Sequence, residues 1–327
     1  LVNAVPGVEL AGAVVPRPPI DPSLIKEANG SSGTAAPDCT EGTYKNSVNL
    51  STANATTTYA GECIISGQVT INLDVASYAK LAAVKTIQGN LKVKGTGQGA
   101  AVSPLPGLTK VSTSVLIDNT SLTNLPNFPR LTTIGGSLMI RGNNKATAIT
   151  GFNALTQVGS LQVTNNNATT WATFSKLKTV SVGVTVLNNW NLTKVALPAV
   201  SGINATLEIG KNPCTTIALG NMAKVGMLNL HANTKLTSVQ APKLTQVTTL
   251  LINGNGAATN TTFAFGNMKT LGDFTLFDQL KITELTWLGT QVKMSGGLQV
   301  CQSGISSADA LAWFQKLGGQ PKASHCN

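Results

Sequence analysis

The sequence predicts an all-β protein: a parallel β-solenoid of about eleven coils of 21–24 residues, closed by a C-terminal helix and preceded by an extended N-terminal arm. Three observations predict it. A short apolar pair recurs every 21–24 residues, a second apolar motif precedes most of those pairs, and an asparagine follows six of them at a constant offset.

The pairs are Val69/Ile71, Leu91/Val93, Val115/Ile117, Leu138/Ile140, Leu161/Val163, Val184/Val186, Leu207/Ile209, Leu228/Leu230, Leu250/Ile252, Phe274/Leu276 and Leu298/Val300. Each alternates with polar residues, the pattern of a short strand with one buried face. Before them stand Leu108/Val111, Leu131/Ile134, Leu155/Val158, Leu177/Val180, Val200/Ile203, Met222/Val225 and Leu244/Val247. A third apolar pair follows the strand in several units, as in Leu122/Leu125, Leu192/Val195 and Leu236/Val239. One coil cannot bury such a triangle alone. Coils stacked about 4.8 Å apart share one core.

Three residues beyond the last apolar strand position stand Asn143, Asn166, Asn189, Asn212, Asn233 and Asn255. Asparagine accepts turn conformations, and its amide can bond both its own backbone and the neighbouring coil, so these residues read as a structural ladder. The residue just after each strand pair forms an outward column: Lys94, Asp118, Arg141, Thr164, Leu187, Gly210, His231, Asn253 and Phe277. Alternating charge at Lys94, Asp118 and Arg141 reads as a surface ion ladder.

The ends differ from the body. Residues 303–327 form a helical cap: Ser306 or Ser307 caps a helix over about 308–317, Leu311, Phe314 and Leu317 share a face, and Gly318 stops it. Residues 39–302 form the solenoid. Residues 1–38 carry Pro6, Pro16, Pro18, Pro19, Pro22 and Pro37 and read as an extended arm. It either docks along its own solenoid or inserts into a neighbouring copy, a device that would build polymers.

Composition narrows the function. Hydrophobic residues make up 42% and charged residues 11%, against about 25% charged in an ordinary globular chain. Arginine occurs only at Arg17, Arg130 and Arg141, and the lysines are scattered, so the net charge of +10 does not describe a nucleic-acid surface. No apolar run is long enough for a membrane span. The chain shows no signal-peptide pattern and reads as mature and processed. With no CxxC spacing and two histidines, no metal or cofactor is expected.

The economical cysteine pairing is Cys39–Cys63 at one end and Cys301–Cys326 at the other. Cys214 is left over, either buried and inert or bonded to another chain. N-glycosylation sequons occur at Asn29, Asn49, Asn54, Asn119, Asn167, Asn191, Asn204 and Asn260. Terminal disulfides and a Thr/Asn/Gly-rich surface favour an oxidising, extracellular setting.

The phrases LTTIGGSLMIRGNN (131–144), LTQVGSLQVTNNN (155–167) and VSGINATLEIGKNP (200–213) resemble receptor L domains, the leucine-rich-repeat-like modules of insulin- and EGF-receptor ectodomains. Fungal cell-wall glycoproteins of the sporulation-specific type carry similar phrases. The resemblance implies a right-handed solenoid with disulfide-capped ends, set outside the cell, that binds or scaffolds and does not catalyse.

No nucleophile, zinc-protease, P-loop or dinucleotide motif is present, and His231 and His325 have no evident carboxylate partner. The expected function is therefore that of a secreted, non-enzymatic glycoprotein of an extracellular wall, matrix or filament. Its expected partners are copies of itself, other wall components and N-linked glycans. The alternative is a receptor-type module recognising ligand or glycan, with Trp171, Trp190 and Phe277 as the aromatic candidates. A polysaccharide-active enzyme ranks third.

Overall fold

The computed structural model describes residues 39–50, 61–72, 81–95, 103–256, 261–265, 267–279, 286–288, 291–317 and 324–326. The N-terminal arm 1–38 and Gly318 lie outside them. The strands form a parallel β-solenoid, and every strand pairing is parallel.

The main inward column is continuous. Leu50, Ile71, Val93, Ile117, Ile140, Val163, Val186, Ile209, Leu230, Ile252, Leu276 and Val300 stand in successive register across the coils. All are buried. Branched side chains alternate inward on short strands, and each covers the one below, so no coil has a core of its own.

The strand Val48–Leu50 adds a rung ahead of the expected series, and Ser324–Cys326 adds one behind it. Val48/Leu50 repeats the apolar pair 21 residues ahead of Val69/Ile71, a repeat that sequence reading missed, whereas Ser324–Cys326 lacks such a pair and could not be found by periodicity.

The preceding motif builds a second side. Ile65, Ile87, Val111, Ile134, Val158 and Val180 are stacked in register, and Ile203, Val225, Val247, Leu271 and Met294 form a further stack. The third side comprises Ala148–Ile149 against Thr170–Trp171, and a four-strand run of Lys194–Ala196, Thr216–Ala218, Ser238–Gln240 and Thr262–Ala264. Phe128, Phe152 and Phe174 stack at 5.5 and 6.0 Å between ring centroids, filling a corner of the interior.

A single turn follows the main strand in coil after coil. Asn119, Gly142, Asn165, Asn188, Lys211, Ala232, Gly254 and Asp278 all have φ between 49° and 66°. This left-handed residue brings the next side chain inside, where the asparagines sit.

Each ladder amide donates to the next one's oxygen: Asn143 to Asn166 at 2.9 Å, Asn166 to Asn189 at 3.0 Å, Asn189 to Asn212 at 3.1 Å, Asn212 to Asn233 at 3.4 Å and Asn233 to Asn255 at 2.9 Å. The same oxygens accept the backbone N–H of the preceding ladder asparagine. Each amide nitrogen also donates back to a strand carbonyl one coil earlier, from Ile117 for Asn143 through Leu230 for Asn255. Thr120 occupies the ladder position in the preceding coil and gives its hydroxyl and N–H to Asn143. The buried ladder side chains thus find their hydrogen-bond partners within the protein.

At the N-terminal end, Cys39 and Cys63 are disulfide-bonded with Cα atoms 5.1 Å apart, beside the pairing of Thr40–Tyr44 with Glu62–Ile65. At the C-terminal end, helix α1 (Ser307–Lys316) is capped by Ser306, whose hydroxyl accepts the Asp309 N–H at 3.1 Å. Ala310, Phe314 and Leu317 are its buried residues, while Leu311 is half-buried. Trp313 packs against the core. Cys301 is disulfide-bonded, and the backbone register places Cys326 opposite it.

Candidate functional site

Because every strand buries alternate residues, the main sheet presents two outward columns. One is the column read from the sequence. The other contains Thr70, Lys92, Leu116, Met139, Gln162, Thr185, Glu208, Asn229, Leu251, Thr275 and Gln299, in register from coil to coil. Toward the C-terminal end these columns enclose a shallow hollow of about 530 Å³, lined by Glu208, Asn229, His231, Leu251, Asn253, Phe277 and their neighbours.

At its centre is a pair that sequence reading missed. Glu208 Oε1 lies 3.2 Å from His231 Nε2 and accepts the Asn229 amide at 3.3 Å. The two residues stand on adjacent coils in different columns, a diagonal contact. Gly210 allows it: a Cβ at that position would collide with the imidazole, so the ring lies across the glycine. The expectation that His231 lacks a carboxylate partner is corrected. Leu251 and Phe277 supply an apolar flank, and the arrangement suits a polar group attached to an apolar one.

Among the aromatic candidates, Trp171 is removed. It is buried on the third side, and its Nε1 donates to the Ala196 carbonyl at 2.7 Å. Phe277 is half-buried in the hollow, whereas Trp190 is 53% exposed on a different set of coils. In the ion column, Arg141 meets Asp118 through two bonds of 3.1 and 3.3 Å, and Lys94 makes no ion pair among the described residues. The hydrogen bond to Asp118 first, and the carboxylate charge second, raise the Arg141 pKa above its ordinary value.

Cys214 is free and fully buried, with its thiol 3.7 Å from Asn233 Oδ1. Burial pushes its pKa up to about 12. Bonding to another chain would require the coil to open.

The described sequon asparagines lie at the surface: Asn49, Asn119, Asn191 and Asn204 are exposed and Asn167 is half-buried. Asn191 and Asn167 meet across adjacent coils at 2.6 Å. Asn29, Asn54 and Asn260 lie outside the described residues.

Threonine has a role that its abundance alone did not disclose. Thr109, Thr132, Thr156, Thr169, Thr193, Thr215 and Thr237 each donate a hydroxyl to a carbonyl one coil back. Five of these threonines follow a leucine of a repeated apolar pair (Leu108, Leu131, Leu155, Leu192 and Leu236), which was the available signal.

Among the described residues, no group of three or more His, Cys, Asp or Glu is placed to hold a metal ion, and no helix is long and apolar enough to cross a membrane.

The parallel solenoid with its shallow outer hollows suggests a recognition or structural module, of a fold that is typically non-enzymatic. The family model of the receptor L domain matches residues 63–159. The resemblance read from the sequence is shown over that stretch, and the same register continues beyond it to Val300. Searches of curated proteins and of solved structures find no significant match.

Proposed function

We infer that the chain is a secreted, N-glycosylated, non-enzymatic glycoprotein serving as a structural component of an extracellular wall, matrix or filament. The observation that carries this reading is the interior column from Thr120 to Asn255, where polar side chains hold coil to coil. Such a scaffold is rigid along its length, and its low charge and surface sequons suit a crowded, glycosylated exterior. Self-association through residues 1–38 is part of the proposal.

The test is secretion of the full chain from a eukaryotic host. Expected are a glycosidase-sensitive mass and higher-order particles that a chain lacking residues 1–38 does not form. A glycan-free protein that stays monomeric with or without the arm would overturn it. A depolymerisation assay over common glycans should yield no product.

The Glu208–His231–Phe277 hollow favours a second reading, a recognition module whose ligand sits on the sheet face. His231→Ala and Phe277→Ala would then abolish surface binding while leaving particle formation intact.

A further inference from the structure

The turn that follows each ladder asparagine does not require an aromatic residue. At the position after the ladder residue the coils carry Asn144, Asn167, Trp190, Pro213, Thr234 and Gly256 in succession. A tryptophan appears once, and there its side chain is 53% exposed, the most exposed aromatic among the described residues. Its backbone N–H bonds the Asn166 carbonyl at 3.2 Å, which fixes the turn. Its indole N–H donates to no described residue. Packing therefore does not explain why this coil carries an indole.

Trp190 forms one wall of a second hollow of about 310 Å³, lined also by Asp118, Asn119, Arg141, Gly142, Asn144 and Asn165. The chemistry of the lining is specific. Asp118 and Arg141 are joined by two hydrogen bonds, so their charges cancel and the hollow does not select an ion. Carboxylate lone pairs and guanidinium N–H groups remain on the pair beyond those two bonds. The exposed amides of Asn144 and Asn165 make no hydrogen bond to any described residue, and each offers donors and an acceptor in one plane. Gly142 has no side chain, and the Asn119 amide lies over it, donating to Asp118 Oδ1 at 3.0 Å and forming the floor of the hollow.

An indole face beside uncharged planar amides and a neutralised ion pair matches a ligand with one apolar face and a rim of hydroxyls. We propose that this hollow binds an uncharged pyranose ring of a glycan. The ring stacks on Trp190, and its hydroxyls bond Asn144, Asn165 and the Asp118–Arg141 pair.

The sugar has two possible sources. Asn119 heads the sequon Asn119–Thr120–Ser121 and lines the hollow itself, so the chain's own N-glycan can fold onto Trp190. A separate neutral polysaccharide can fill the same place. The proposal stands apart from the arm-mediated assembly, and its failure would leave that reading untouched.

The experiment compares the full chain as secreted, Ser121→Ala (which removes the sequon but keeps the Asn119 side chain) and Trp190→Ala in both backgrounds. The probes are chitotetraose, laminaritetraose, cellotetraose and mannotetraose, titrated calorimetrically, together with acrylamide quenching of the fluorescence that Trp190→Ala removes. Binding of at least one probe to Ser121→Ala, weakened tenfold or more by Trp190→Ala at unchanged melting temperature, supports the site. If the glycosylated chain binds that probe equally well, the ligand is a separate polysaccharide. If it binds poorly and Trp190 is shielded from acrylamide only when Asn119 is glycosylated, the chain's own glycan is the occupant. Two results would overturn the proposal: undiminished binding by Trp190→Ala, or no probe bound by Ser121→Ala together with equal quenching of Trp190 with and without the glycan.

Discussion

Between Thr120 and Asn255 the coils are joined from within by side-chain amides, whereas no such buried amide ladder occurs among the described residues of the coils before Thr120. At the ladder offset those earlier coils have Ala53, Asp74 and Thr96 in the sequence, and there the Cys39–Cys63 disulfide ties two neighbouring coils. The apolar column runs through both regions without interruption. Hydrophobic stacking is thus the common element, and the two regions differ in what fixes each coil to the next. In the middle, buried hydrogen bonds do so, at the cost of leaving several groups stranded if one is lost. At the end, a covalent bond acts mainly by restricting the unfolded chain.

The largest effect should come from breaking the column in its middle. Asn189→Ala removes the acceptor of the buried Asn166 N–H, one acceptor of the Asn166 amide and the side-chain donor to the Val163 carbonyl, while the Asn212 oxygen keeps the Asn189 N–H and the Leu187 carbonyl keeps the Asn165 N–H. With about 1–3 kcal/mol for each buried group left unpaired and partial relaxation, a loss of about 3–5 kcal/mol is expected. Circular dichroism melts should show a midpoint lower by about 6–15 °C.

Removing the N-terminal staple with Cys39→Ser and Cys63→Ser opens a loop with a sequence separation of 24, at a cost of about 3 kcal/mol. Hydrogen exchange should accelerate in the coils before Thr120 and stay unchanged between Asn143 and Asn255, because repeat coils feel chiefly their neighbours. Uniform acceleration along the whole solenoid would erase the distinction between the regions.

Cys214 adds a pH-dependent contribution to the middle region. Its pKa rises from 9.0 to about 12 through burial. The stabilisation is therefore complete below pH 9 and disappears as pH climbs toward 12, where the unfolded thiol has ionised and the folded one resists. The melting temperature of the native chain should fall more steeply over that window than that of Cys214→Ala. At pH 8 the thiol should react with Ellman's reagent only after denaturation.

The smallest effect is a gain. Ala232 holds φ of 52° in the turn before Asn233, where five other coils use glycine or asparagine and two use Lys211 and Asp278. Ala232→Gly relieves the left-handed strain, less the added entropy of the unfolded chain, for a net gain of about 0.5–1 kcal/mol visible as a slightly higher midpoint.

The inward architecture was legible because its signal is repetition. Ile117, Ile140, Val163 and Val186 recur at a fixed spacing and meet in register, and Asn143 through Asn255 share one offset. What lay outside that repetition was hidden. His231 reaches Glu208 by a diagonal that depends on Gly210 having no side chain, and a period counts positions without showing such gaps. Trp171 looked like a surface aromatic, but its position is the third-side column that other coils fill with Val195, Ile217 and Val239. Ser324–Cys326 pairs in register with the last coil without resembling the other rungs, since a terminal strand needs only the backbone edge of its neighbour.

The amide column also has a direction. Every side-chain oxygen from Asn166 to Asn255 accepts from the coil before it, so the amide dipoles lie head to tail along the axis and polarise one another. The opening oxygen, that of Asn143, is met by the hydroxyl and N–H of Thr120 and not by another amide. The rod therefore has chemically unlike termini. Copies meeting end to end would continue that vector by translation, whereas a two-fold contact through the same ends would oppose it.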